Sequence, residues 1–437
     1  MSVTTWQRPG EAVVARRRAI EALRAGVPSR DAVAALGSGQ SAIEDRFATL
    51  RDAASAGRPG GLLLGGGFGA GKSHLLEHLA GLALADGFVV SRVVISKETP
   101  LHDPAKVFRA AVDSAVTAAQ AGPAMAEAAA ELDLEARGYA ELVRWASSPA
   151  ADLNERFPAT LELFARVRDR DAEVADTIVR FWSGDPIRVP DLRRHLKAIG
   201  HARPVLPPVH ARELSRQRLR FAAKLLTAAG HAGWVILFDE VELIGRYSLL
   251  QRARSYAEIV RWMRGEHDAP GVPIAAVLAM TDDYEAAVIT DRDDREQVPA
   301  KLRAKDSPEA DELAGVAEAG MRIIDREMTL LTPPDTAELD QAYQRLKLLH
   351  AEAFEWQPPD VTGLERLGAT RMRQYVRAWI NEWDLVRLDP HYRPDIETVD
   401  VVSDYREDDA LEADDAPGEI LTGDPHPTER SWGSSST

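Results

Sequence analysis

The chain has 437 residues, 45% hydrophobic and 28% charged, with no cysteine and a formal net charge of −16 at pH 7. A chain this long buries a substantial core in roughly two or three domains. The lack of cysteine excludes disulfides and thiolate metal sites, and the acidity argues against indiscriminate binding to nucleic acid while leaving room for a local basic patch.

In chain order, residues 10–56 read as helical. EAVVARRRAIEALRAG carries apolar residues at helical spacing and stops at Gly26, after which Pro28 and Ser29 open a second segment. GRPGG (57–61) is a turn, LLL (62–64) a short buried strand ending in glycines, Gly71 to Gly87 a helix, and FVVSRVVIS (88–96) a second, β-branched strand. Residues 104–230 are rich in alanine and leucine, with helical periodicity, proline breaks and no visible chemistry. GWVILFDE (233–240) and VPIAAVLAMT (272–281) are continuous apolar strands of the kind found when both sheet faces are covered. SLLQRARSYAEIVRWMR (248–264) is an amphipathic helix between them, MTLLT (328–332) a last strand, and 335–388 helical again. The tail, with VDVVSDYREDDALEADDAPGE, has acidic clusters and no sustained apolar period, and reads as disordered from about Pro390. No apolar run reaches the roughly 18 residues that cross a bilayer, and MSVTTWQRPGEAVVARRR has no apolar segment after a basic one, so a cytoplasmic setting is expected.

Strands alternating with helices imply an α/β fold with a parallel sheet. The expected division is an N-terminal helical segment (1–56), a core (57–334) with a helical insertion at about 104–230, a C-terminal helical unit (335–389) and the acidic tail (390–437).

Gly66-Gly67-Phe68-Gly69-Ala70-Gly71-Lys72-Ser73 matches G-x-x-x-x-G-K-[ST] between a strand and a helix, the context that pattern requires. Glycines let the backbone wrap around phosphates with its N–H groups aimed inward. Lys72 is expected to reach the β- and γ-phosphates, Ser73 to ligate Mg²⁺, and the helix N-terminus to face the same anion. Asp239 ends an apolar strand, at the carboxyl edge where ligands bind a parallel sheet, and is expected to hold Mg²⁺ through water. Glu240 is positioned to orient and deprotonate an attacking water. Glu242, next but one, reads as a solvated or structural carboxylate.

Two other patterns carry less. His74-Leu75-Leu76-Glu77-His78 fits the H-x-x-E-H of zinc peptidases, but it occupies the first turns of the P-loop helix and no distal carboxylate ligand is evident. Leu36-Gly37-Ser38-Gly39-Gln40 faintly resembles the transporter-ATPase signature but precedes the P-loop instead of following it. The guanine-reading N-K-x-D is absent, Asn154 and Asn381 being the only asparagines, so adenine is the expected base.

In AAA+ ATPases a polar residue ending the next strand senses the γ-phosphate, and Thr281 or Asp282 takes that place here, although the usual asparagine is missing. An arginine opening a lid helix also reaches the nucleotide, a role open to Arg371 or Arg373 within GATRMR. Arg303, Arg322 and Arg326 are candidates for an arginine finger. Arg254, Glu258 and Arg261 share a helix face, read as ion-paired surface ahead of a DNA-binding stripe.

RRAIEALRAGVPSRDAVAALGSGQ, GGFGAGKSHLLEHL, VVSRVVISKETPLHDPAKVFRA and GWVILFDEVELIGRYSLLQRARSYAEIVRWM together resemble the ATP-binding component of bacterial phage-exclusion (BREX) defence systems. The likeness runs from about Arg16 to Trp383, loosely over 104–230, and VVISKETPLHDP and DEVELIGRYS are its most specific stretches. It implies a P-loop fold akin to AAA+ proteins of the origin-recognition type, with a C-terminal helical lid. It also implies an ATPase that works with other defence proteins, as a homo-oligomer and on DNA, or alternatively an ATP-binding switch or scaffold with little turnover.

Overall fold

Two apolar runs set the sheet. WVILFD at Trp234–Asp239 and IAAVLAM at Ile274–Met280 are buried at every position, because helices cover both faces. The computed structural model describes residues 9–119, 123–200, 205–265, 271–361, 372–389, 391–392, 405, 408 and 420–421. Within them the strands are β1 (Gly60–Gly65), β2 (Val89–Val94), β3 (Val209–His210), β4 (Trp234–Asp239), β5 (Ile274–Met280), β6 (Thr329–Leu330) and β7 (Ile420–Leu421). All but β3 and β7 form one parallel five-stranded sheet in the order β2-β4-β5-β1-β6. The expected α/β architecture is present. The pairing of β3 with β7, antiparallel, had no signal in the sequence.

Strand period two divides the interior into two cores. Leu62 and Leu64 of β1, Val235 and Leu237 of β4 and Val277 of β5 face one core, closed by Leu75, Leu76 and Leu79 of helix Lys72–Ala85 and Phe47 of helix Ser41–Ser55. Leu63, Ile236, Phe238, Ala276 and Leu278 face the other, against Tyr256 and Ile259 of helix Leu249–Arg264 and Met321 and Ile324 of helix Pro308–Glu327. These last two helices cross so closely that a Cβ on Gly320 would lie 2.1 Å from the Tyr256 carbonyl oxygen, so only glycine fits.

The stretch between β2 and β4 is helical, from Pro104–Asp113 to Ala211–Ala228. Its first helix starts where Asp103 accepts from the N–H groups of Ala105 and Lys106 and proline occupies the first turn. Phe157, Phe164, Phe181, Trp182 and Phe221 pack as one aromatic cluster continuous with the sheet core.

The first 56 residues supply two different cores. Helix Ser41–Ser55 packs on the sheet, whereas Ile20, Leu23 and Ala32 join Leu346, Trp379, Ile380 and Trp383 of helices Thr336–Phe354 and Met372–Leu388. Helices from opposite ends of the chain thus form a third cluster beside the sheet. The acidic segment, expected to be disordered throughout, is tied down at the residues described. Asp408 pairs with Arg246 at 2.7 Å and donates its N–H to the Arg246 carbonyl, and the Tyr405 carbonyl accepts from Arg292 at 2.7 Å. Isolated specific contacts of this kind leave no periodic pattern in a sequence.

One buried ion pair joins the post-β4 helix to the segment after β5. Arg252 donates to both carboxylate oxygens of Asp294 at 2.8 Å, with the two side chains 3% and 1% exposed. Tyr256 donates to the same carboxylate at 2.6 Å, and Arg252 also donates to the Tyr247 carbonyl at 2.6 Å. Removing the carboxylate leaves a buried guanidinium without its counterion, so Asp294→Ala should destabilise the fold by about 3–5 kcal/mol. Chemical denaturation checks this, with a shifted midpoint and an unchanged slope as the expected outcome.

Candidate functional site

β1 stops at Gly65, and the backbone turns through Gly69 (φ 78°) and Gly71 (φ 104°), conformations that L side chains rarely adopt. Helix Lys72–Ala85 begins immediately, with Gly71 as its N-cap and no side chain closing its first turn. An uncapped helix N-terminus behind a glycine loop presents backbone N–H groups and the positive end of the helix dipole to whatever lies in the loop. The Lys72 side chain is buried, and its ammonium donates to the Gly66 carbonyl at 2.6 Å, folded back on its own loop.

The carboxyl ends of β4 and β5 bring the second half of the site. Asp239 ends β4 with its side chain 5% exposed and holds the Arg92 guanidinium of β2 at 2.7 Å. Glu240 takes a left-handed backbone (φ 59°), uncommon for a residue with a Cβ, and its N–H donates to Asp239 Oδ1 at 3.1 Å. Burial, then the Asp239 charge, raise the Glu240 carboxyl above its usual range, against the pull of Lys72, Arg373 and Arg92. A half-buried carboxylate raised in this way is a stronger base than a free one. Of the two readings of Glu242, solvated or structural, its burial leaves the second. The turn at Glu240 sends it inward, 4% exposed, with Oε1 4.0 Å from the Lys72 ammonium.

Thr281, directly after β5, is fully buried and its hydroxyl bonds Tyr405, whose own hydroxyl donates to Asp283 at 2.6 Å. Asp282 faces the loop, its Oδ1 3.8 Å from where a Cβ on Gly67 would stand. Arg371 lies outside the described residues. Arg373, the other arginine of that segment, donates its N–H to the Gly69 carbonyl at 3.4 Å and lays its side chain over Gly69 and Gly26. Arg303, Arg322 and Arg326 are all exposed, and Arg303 pairs with Glu318 at 2.8 Å. Glu258 accepts from Arg261 at 2.9 Å and Arg216 at 2.8 Å, which favours the ion-paired reading of that helix face.

A cavity of about 320 Å³ opens beside the loop, within the size range of small-molecule sites. Its walls come from Ala70, Gly71 and Ser73, from Gly26 to Pro28, from Gly37 to Gln40, and from Gln341, Arg345 and Arg373 of the C-terminal helices. The stretch set aside as a misplaced transporter signature therefore forms a wall of this cavity, reached through space and not through sequence order. The two histidines of H-x-x-E-H serve separate partners: His74 meets the Gly37 carbonyl at 2.8 Å, and His78 meets Glu44 at 3.0 Å. Arg92, Glu242, Arg345 and Tyr405 carried no motif. Arg92 alone had a signal, as the one cation in a strand that is otherwise apolar but for Ser91.

Lys72, Ser73, Asp239 and Glu240 thus stand at one edge of one parallel sheet flanked by helices, an arrangement consistent with a P-loop-like fold. Residues 14–129 match a family model described as BREX system ATP-binding protein BrxC/D. The chain is similar over that stretch to BREX-system ATP-binding proteins, as the resemblance in its sequence implied. No curated protein and no solved structure matches the chain. Among the described residues no helix is long and apolar enough to cross a membrane.

Burial pushes the Glu242 carboxyl up to about 7. A carboxyl whose pKa rises on folding takes up a proton as the chain folds, so burying it costs stability above that pKa, and the cost fades as pH falls to the ordinary value. Glu242→Gln should therefore be more stable than the parent at about pH 8, by ~3 kcal/mol. The gap should close towards about pH 4.5, and melting temperatures of the two proteins across this range are the check.

Proposed function

We propose that the chain binds ATP–Mg²⁺ at Gly66–Ser73 and hydrolyses it as an AAA+ type ATPase within a BREX-like anti-phage defence complex. One observation carries this reading. Lys72, Asp239 and Glu240, separated by more than half of the core in sequence, converge on the carboxyl edge of the sheet before an uncapped helix N-terminus.

Backbone N–H groups of the glycine loop and the first turn of the helix hold the phosphates, and Lys72 leaves the Gly66 carbonyl to reach them. The Ser73 hydroxyl and the Asp239 carboxylate are oxygen donors of the kind Mg²⁺ takes. Asp239 already holds a cation, the Arg92 guanidinium, so its position suits one. When bound, the metal neutralises charge on the phosphate oxygens. Glu240 orients the attacking water and accepts its proton, a role favoured by its raised carboxyl. The base occupies the cavity between the N-terminal and C-terminal helices, and the latter act as a lid, with Arg373 the described arginine nearest the loop. Thr281 lies between the two halves of the site because β5 separates β1 from β4, and it senses the γ-phosphate. Action on DNA, assembly as a homo-oligomer with an arginine finger, partnership with other defence proteins and a cytoplasmic setting belong to the same proposal and rest on the family resemblance.

Lys72→Ala should abolish magnesium-dependent phosphate release. Glu240→Gln should keep ATP binding and lose about 10²–10⁴-fold in turnover. Full turnover in Glu240→Gln would remove Glu240 from the role of base.

The second reading, an ATP switch with little turnover, is favoured by the contact at Thr281. An ionised carboxylate only accepts, so the single Tyr405 proton goes to Asp283, and Thr281 must donate its own to Tyr405. With that donor spent, Thr281 has no proton to offer a phosphate. Tyr405→Phe should then raise basal turnover several-fold. Negligible turnover in the parent, with and without DNA, that rises in Tyr405→Phe supports the switch, and an unchanged rate in the variant removes the Thr281 contact as its cause.

A further inference from the structure

The turn after β4 puts Glu242 behind the phosphate loop, where nothing in the reading of the site so far requires an anion. Its side chain is 4% exposed and points at Lys72, with Oε1 4.0 Å from the ammonium. Oε2 is buried without a hydrogen-bond partner among the described residues. A buried carboxylate with a vacant oxygen is costly, and the cost falls when an ammonium approaches. Asp239 is not available to Lys72 in the same way, since it is taken up by Arg92. The ammonium has three protons, of which the Gly66 carbonyl at 2.6 Å takes one and the Gly67 carbonyl, at a long 3.4 Å, a second.

We propose that Glu242 is a positioning residue for Lys72: it holds the ammonium back while the loop is empty, and nucleotide binding draws the ammonium away from it. This rests on the reading of Gly66–Ser73 as a polyphosphate cradle. Glu242 touches no phosphate. It acts through Lys72 and sets the cost of moving that cation from a carboxylate to a triphosphate. Two effects share one sign. Removing the Glu242 charge frees the ammonium, and it removes a negative charge from behind a polyanion. Loss of the charge at constant shape must therefore tighten binding.

The test is ATP affinity of the full chain without magnesium at about pH 8, where Glu242 is ionised, measured by titration calorimetry on the parent, Glu242→Gln and Glu242→Asp. Glu242→Gln is expected to bind ATP about tenfold tighter, equivalent to about 1.4 kcal/mol, and Glu242→Asp, with its charge withdrawn by one methylene, to fall between. With magnesium present, KM should fall in Glu242→Gln while kcat changes less than about twofold, because the group does not act on the reacting atoms. Equal or weaker binding by a folded Glu242→Gln overturns the proposal. So does a collapse of kcat at unchanged affinity, which would make Glu242 a catalytic group. Should Glu242→Gln not fold, Glu242→Asp must still bind tighter than the parent, and failure to do so is equally decisive. A parent that binds no ATP, with or without magnesium, overturns the cradle reading and this proposal with it. A parent that binds while the variants match it overturns this proposal alone.

Discussion

A parallel sheet covered on both faces has one place for charge, its carboxyl edge, and a charge placed there with little solvent must have a partner. The rest of the site follows from that constraint. β4 and β5 are buried throughout, so Asp239, Glu240 and Thr281 emerge together where these strands end. Three groups of the site have found a partner within the chain: Lys72 on the Gly66 carbonyl, Asp239 on Arg92, Thr281 on Tyr405. Nucleotide chemistry in such a site is an exchange of partners. Its cost is set by the bonds that must be given up as much as by those formed, which is why neutral contacts such as a carbonyl suit the empty loop better than a tight ion pair.

The same edge explains the use of the two chain ends. A strand edge and a helix N-terminus give no walls to a cavity. Those of the cavity beside the loop come from helix Pro9–Ala25 and the loop after Leu36 on one side and from the C-terminal helices on the other, joined by one apolar cluster containing Ile20, Leu346 and Trp383. Arg373 crosses from that cluster to Gly69 and Gly26, so the backbone of the loop and the N-terminal helix end meet one side chain. Movement of this helical unit changes the cavity and the loop together.

Much of this was legible in the sequence, and what was not has a physical reason. Continuous apolar runs revealed β4 and β5, glycine spacing revealed the loop, and the strand-end Asp-Glu revealed two carboxyl groups at the sheet edge, because each is a local pattern. Whether Glu242 is solvated or structural was left open because its environment depends on one backbone angle, the left-handed turn at Glu240, which no spacing rule encodes. Leu36 to Gln40 was judged by its order in the chain, whereas its place beside the loop depends on His74 meeting the Gly37 carbonyl and Arg345 the Leu36 carbonyl. Tyr405 sits in an acidic stretch whose composition reads as solvated, and composition averages over the few residues that make contacts.

The family match covers 14–129 and so includes Lys72 and Arg92 but neither Asp239 nor Glu240. What joins the two halves is physical. Arg92 lies in β2, next to β4, in register opposite Leu237, and spans the strand end to meet Asp239 while also lying 3.6 Å from Glu77 of the P-loop helix. A cation on β2 that meets carboxylates on β4 and on the P-loop helix ties those three elements together. Arg92 is therefore the residue of the matched stretch that calls for a carboxylate at position 239. The placement of the second half of the site then stands on charge pairing within this chain, independently of how far the family likeness extends.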